Sequence, residues 1–125
     1  MGFGVTYDEL AAMLTPVGLT IVLPGEPDKA LPCISIEPTA ITLVPGVRVG
    51  WESANVNVRY PLAINNVSQF AKCNESAYKV LRALLGTNVL VGDQTPLFGD
   101  ADNSTPAFRY QIEVSFPGPH DICNT

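Results

Sequence analysis

The stretch Phe108-Arg109-Tyr110-Gln111-Ile112-Glu113-Val114-Ser115-Phe116 alternates apolar and polar residues without a break. A side-chain period of two belongs to a β-strand with one face on a core and the other polar. The pattern recurs upstream, where Val56, Val58 and Tyr60 point one way and Asn55, Asn57 and Arg59 the other. Such a polar face is expected to be wet or interfacial. Between these two strands the period changes. Phe70, Cys73, Ala77, Leu81, Leu84 and Leu85 recur at three- and four-residue steps, with Lys72, Glu75, Lys79 and Arg82 on the other side. This predicts an amphipathic helix over residues 68–85, roughly 27 Å long at about 1.5 Å per residue. Gly86 stands where a left-handed C-cap belongs, and Arg82 in the last turn opposes the helix dipole.

Working outward, Thr6 and Glu9 have the spacing of a capping box, and Tyr7, Leu10, Ala11 and Leu14 follow at helical steps. A short helix over residues 7–15 is predicted, stopped by Pro16 and Gly18. Residues 19–23 form a β-branched apolar run that reads as a strand. Residues 32–38 read as a short strand bracketed by prolines, and residues 40–44, 47–51 and 88–91 as further short extended pieces. Pro45-Gly46 is a turn. Residues 92–106 read as a long polar loop carrying Asp93, Asp100 and Asp102. A loop of that length in a small domain tends to be functional. After Phe116, the Pro117-Gly118-Pro119 run is expected to begin a flexible tail over residues 116–125. No β–α–β alternation dominates. The expected fold is therefore α+β: a mixed, mostly antiparallel sheet packed by one long helix and a short N-terminal one.

The chain has 125 residues, which fits a single domain over 1–125. Hydrophobic residues make up 46%, which argues against disorder. Charged residues make up 15%, against about 25% in an ordinary soluble domain. A surface so lightly charged is weakly defended against association and points towards life in an assembly. The net charge of −5, with the seven basic residues scattered along the chain, is not a nucleic-acid footprint. No apolar run approaches the roughly 18 residues of a membrane span. The start Met1-Gly2-Phe3-Gly4-Val5 has neither a basic nor an apolar leader region, so no secretory signal is expected. The three cysteines, Cys33, Cys73 and Cys123, are widely spaced and odd in number. They read as free thiols in a reducing compartment.

Candidate chemistry is sparse. The single histidine, His120, lies beside Asp121 among prolines and glycine, and reads as exposed rather than catalytic. His120 and Cys123 supply at most half a zinc set. No phosphate-cradling glycine loop and no calcium-loop spacing occurs. Glu37, Glu52 and Glu113 read as solvated or salt-bridged acids rather than as a general acid–base pair. No enzyme, cofactor or metal is therefore expected. Trp51, beside Glu52, is a candidate interface anchor. Arg59 and Arg109 occupy the polar faces of the two clearest strands. If those strands are neighbours, Arg109 is placed to pair with Glu113 or with an acid of a neighbouring subunit.

The order of elements resembles the tail terminator proteins of long-tailed bacteriophages. Four segments carry the resemblance: the opening helix Thr6 to Thr15 with the strand after it; Leu31-Pro32-Cys33-Ile34-Ser35-Ile36-Glu37-Pro38; Trp51-Glu52-Ser53-Ala54-Asn55-Val56-Asn57-Val58-Arg59-Tyr60-Pro61, running on into the long helix; and the final strand Pro106-Ala107-Phe108-Arg109-Tyr110-Gln111-Ile112-Glu113-Val114. The resemblance implies a structural virion protein, made in the host cytoplasm and resident in the neck of the tail. Copies form a homohexameric ring on the last ring of the major tail tube protein. The ring stops tube polymerisation and presents a surface to the head-completion or connector protein. On that expectation Trp51, Glu52, Arg59, Arg109 and Glu113 lie at subunit interfaces. Asp93, Asp100 and Asp102, or the segment Glu26 to Asp28, face a lumen through which DNA passes without specific binding, since acidic walls avoid counterion-release attraction. No membrane partner is expected. The alternatives are another neck component, such as a stopper, or a small α+β ligand-binding domain or enzyme.

Overall fold

The computed structural model describes residues 4–62, 66–98 and 107–122. The element order is α1 (Tyr7–Leu14), β1 (Thr20–Val22), β2 (Cys33–Thr42), β3 (Val49–Pro61), α2 (Asn66–Leu84), β4 (Leu90–Phe98) and β5 (Ala107–Asp121), with a 3-10 turn at Thr15–Val17. The five strands form one sheet in the order β1-β2-β3-β5-β4. The β1–β2 pair is parallel; the other three pairs are antiparallel. The fold is α+β, as the periodicities predict.

Helix α1 begins on its capping box. The Thr6 hydroxyl accepts the Glu9 backbone N–H at 3.1 Å, and the Glu9 carboxylate accepts that of Thr6 at 2.9 Å. Reciprocal capping satisfies two backbone donors that the first turn would leave open. Thr6→Ala is expected to lower stability by about 1 kcal/mol, read from urea unfolding. Pro16 then tightens the chain into the 3-10 turn, and Gly18, at φ +86°, reverses it into β1.

One face of the sheet carries Ile34, Ile36, Val56, Val58, Ile112 and Val114, all buried. Leu10 and Leu14 of α1, and Cys73, Ala77, Val80 and Leu84 of α2, pack with them in one core. Phe116 is fully buried and meets Tyr7 edge to face, with ring centroids 5.5 Å apart. Two pairs of polar side chains in this layer meet each other. The Tyr60 and Ser76 hydroxyls lie 2.7 Å apart, and the Asn74 amide donates to the Tyr110 hydroxyl at 2.9 Å.

Four expectations need correction. Residues 32–38 and 40–44 are largely one strand, β2, with a bulge where its register shifts between Pro38 and Ala40; β3 likewise spans both predicted pieces. A proline and a break in alternation marked a bulge rather than a strand end. Second, Gly92–Phe98 is not loop but β4. Its Gly92-Asp93 step is absorbed by a register shift between Val91 and Gln94, and Pro96 is tolerated because β4 is an edge strand. Asp100 and Asp102 lie outside the described residues. Third, the flexible tail does not begin at 116, because β5 runs to Asp121, with Pro117 opposite Trp51 and Asp121 opposite Val49. The β4 pairing ends at Ser115, so the prolines sit where one side of β5 is open. The Pro117 carbonyl instead accepts the Val5 N–H at 2.8 Å. Finally, the second face of the sheet is not uniformly wet: Asn57 is 0% and Arg59 6% exposed.

A candidate assembly surface

The second face is ordered in rows across the strands. Cys33, Arg59 and Arg109 form one row; Ser35, Asn57 and Gln111 the next; Glu37, Asn55 and Glu113 the third. The two arginines are thus direct cross-strand neighbours, a like-charge placement that a sheet ordinarily disfavours. The Arg59 guanidinium lies 3.7 Å from the exposed Asp28 carboxylate, so the turn after β1 reaches over this corner. Within that turn Glu26 accepts the Leu23 N–H at 2.8 Å, which holds its carboxyl below the usual range, and Lys29 lies 3.4 Å from it. In the third row Glu37 accepts the Asn57 amide N–H at 2.6 Å. The other amide atom, Asn57 Oδ1, is buried with no hydrogen-bond partner among the described residues. Glu113 lies over Gly92, where an added Cβ would touch its side chain at 3.4 Å. A polar groove of about 410 Å³ runs here, lined by Thr39, Ser53, Asn55, Gln111, Glu113 and Ser115.

The predicted interface residues do not form one site. Arg59 and Arg109 sit together. Glu113 lies two rows away, roughly 13 Å along the strand at about 3.4 Å per residue. Trp51 and Glu52 are farther still, about 27 Å and about 24 Å from Arg59 on the same measure. Trp51 is half-buried and lines an open groove of about 530 Å³ with Thr6, Glu9, Arg48 and Pro117. Arg48 pairs with Asp121 at 2.9 Å beside it. Glu52 points to Tyr7, whose phenol is pushed up to about 12 by burial and by that carboxylate. Gly118 makes room for Glu52: a Cβ there would stand 2.8 Å from its carboxylate oxygen. Asp93 is exposed on β4.

The sequence reading overlooked the free end of the β2–β3 hairpin. Strand β1 pairs only with Cys33, Ile34 and Ser35, so β2 from Glu37 onward has a bare edge and is exposed on both faces. The hairpin becomes an arm, and it is apolar: Ile41 is 71%, Leu43 72% and Val47 37% exposed. Ile41 and Leu43, with Ile122 and His120, line a small apolar hollow of about 190 Å³. The apolar alternation was visible in the sequence. What it could not show is that no neighbouring strand covers it.

Two free thiols are buried, Cys73 in the core and Cys33 beside Arg59. Cys73 donates to the Val58 carbonyl at 3.4 Å, and burial pushes its thiol up to about 11 from 9.0. Burial also raises Cys33, against the pull of Arg59 beside it. A pKa raised on folding stabilises the protein below the unfolded value and loses that contribution as pH climbs through the folded one. Stability is therefore expected to fall between about pH 9 and 11 by up to about 2–3 kcal/mol from Cys73, with Tyr7 adding a loss between about 10 and 12. Urea unfolding across pH 8–12 measures this, and Cys73→Ala should flatten the slope between 9 and 11.

Among the described residues no three His, Cys, Asp or Glu side chains cluster to hold a metal ion, and no helix is long and apolar enough to cross a membrane. A scan against protein-family models found no match, and a search of curated proteins found no significant match.

Proposed function

We propose that this chain is a structural virion protein of the tail-terminator kind. Copies close into a homohexameric ring on the end of the tail tube, stop its growth and offer a surface to the head-side connector. The observation that carries this reading is the apolar hairpin arm. Large aliphatic side chains more than two-thirds exposed on a projecting edge are costly in water and are a feature of surfaces that are covered on assembly. The order of elements and the low charge, 15% of residues, support it. In this reading the arm grips the tube protein, and Asp93 on β4, or the segment Glu26 to Asp28, faces the lumen past which DNA slides. The protein is made in the host cytoplasm and ends in the neck of the virion. The test is to add the purified chain to growing tail tubes and follow length by electron microscopy. Tubes should stop growing and carry a density cap; tubes that lengthen as in its absence would refute the role.

The groove beside Trp51 favours the ligand-binding alternative, since it joins an aromatic wall to Arg48 and Glu9. Trp51 is the only tryptophan, so a small-molecule screen read by intrinsic fluorescence reports on that groove directly.

A further inference from the structure

We propose that copies of this chain pack head to tail, the basic stripe of α2 on one copy lying in the acidic groove on the far face of the next copy's sheet. The inference rests on the assembly reading only in requiring that copies associate. Three of the seven basic residues, Lys72, Lys79 and Arg82, stand exposed on the solvent side of α2, with the single acid Glu75 among them. None of the three cations has an ion-pair partner among the described residues. The opposite face of the molecule presents Glu37 and Glu113 as exposed carboxylates, bracketing Asn55 in one row. Arg59 and Arg109 lie at the other end of that face, Arg59 buried against Asp28, so the groove itself carries negative charge.

The spacings agree. Lys72 and Lys79 are seven residues apart, nearly on one meridian of the helix and about 10.5 Å along it. Glu37 and Glu113 are separated by two inter-strand steps, about 9.5 Å. A helix laid across the strands sets one ammonium on each carboxylate. Beside the groove, Asn57 donates its amide N–H to Glu37 and so orients that exposed carboxylate. Because the two patches lie on opposite sides of a two-layer molecule, the contact is heterologous. Such contacts generate rings when the rotation closes and filaments when it does not.

Charge reversal tests this in both directions. One variant carries Lys72→Glu and Lys79→Glu, the other Glu37→Lys and Glu113→Lys; all four sites are exposed, and thermal melts check that both fold. Glu113→Lys alone serves as a further variant that breaks no hydrogen bond recorded among the described residues. Sedimentation velocity at low salt should show the unaltered chain associating, and more weakly at high salt. Each variant alone should associate at least about tenfold more weakly, and their equimolar mixture should recover, since every mixed contact restores opposite charges. The proposal is overturned by a variant that associates like the parent, by two folded variants that fail to recover on mixing, or by a parent chain that stays monomeric at low salt. Tube capping, measured separately, keeps the two ideas apart. Association lost and regained as described, with tubes left uncapped, sinks the terminator role alone; tubes capped by a chain whose association ignores both charge reversals sink the groove contact alone.

Discussion

Ile41→Thr combined with Leu43→Thr is expected to leave the chain folded and to abolish capping of tail tubes. Both side chains are more than 70% exposed, so the folded monomer gains little from them. Threonine is β-branched and keeps the strand preference of the arm. The melting temperature should therefore stay within about 5 °C of the parent. At an interface that buries them, each aliphatic side chain contributes about 1.5–3 kcal/mol. Losing both removes on the order of 3–5 kcal/mol, a weakening of more than about a hundredfold. Tube-length distributions with and without the variant give the result. Full capping by the double variant would move the tube contact away from the arm.

Phe116→Ala is expected to cost about 3–5 kcal/mol, the largest loss from any single side chain here. Phe116 is 0% exposed and makes an edge-to-face contact with Tyr7 at 5.5 Å. Truncation leaves a void where α1 meets the end of β5, and Val5, pinned to Pro117 next door, limits how far the chain can collapse into it. A domain of this size has only about 5–15 kcal/mol to lose. The denaturation midpoint in urea should drop sharply with little change in slope. Ser115→Ala, one residue away on the half-exposed face, should shift it by less than about 0.5 kcal/mol. Equal shifts for the two would mean that Phe116 is not the keystone of this end.

The layered core could be read from the sequence because its signals were periodic. Phe108 to Phe116 and Asn55 to Tyr60 alternate cleanly, and α2 repeats at helical steps; each period names the face that must be covered. Pairing was not legible. That β3 and β5 are neighbours, placing Arg59 opposite Arg109, depends on contacts between segments some fifty residues apart, which no local pattern carries. Strand ends were misread wherever glycine and proline appeared, at Pro38, Gly92-Asp93 and Pro117-Gly118-Pro119. Those residues break alternation whether the strand stops or merely bulges or loses a neighbour. The candidate surfaces were half legible. Glu113, Arg59 and Arg109 were identified by facing away from the core. Asn57 was placed on the polar face and Glu37 read as a solvated or salt-bridged acid, but the bare apolar arm was missed, because its significance lies in which strand ends beside it.

The position of β3 at the centre of the sheet also sets a timetable. It pairs with β2 on one side, made earlier, and with β5 on the other, made last. While the chain leaves the ribosome, the β2–β3 hairpin is complete long before its second partner exists. The stretch from Pro61 to Asp121 takes roughly 3–12 s to synthesise at about 5–20 residues per second. Throughout that interval Val56 and Val58 and one whole hydrogen-bonding edge of β3 stand open, together with the aliphatic arm. Newborn chains on one message are close enough to pair through that edge. Yield of soluble protein should therefore depend on how fast translation delivers the last strand, and slowing initiation, which spaces the ribosomes apart, should help more than any change to the finished fold.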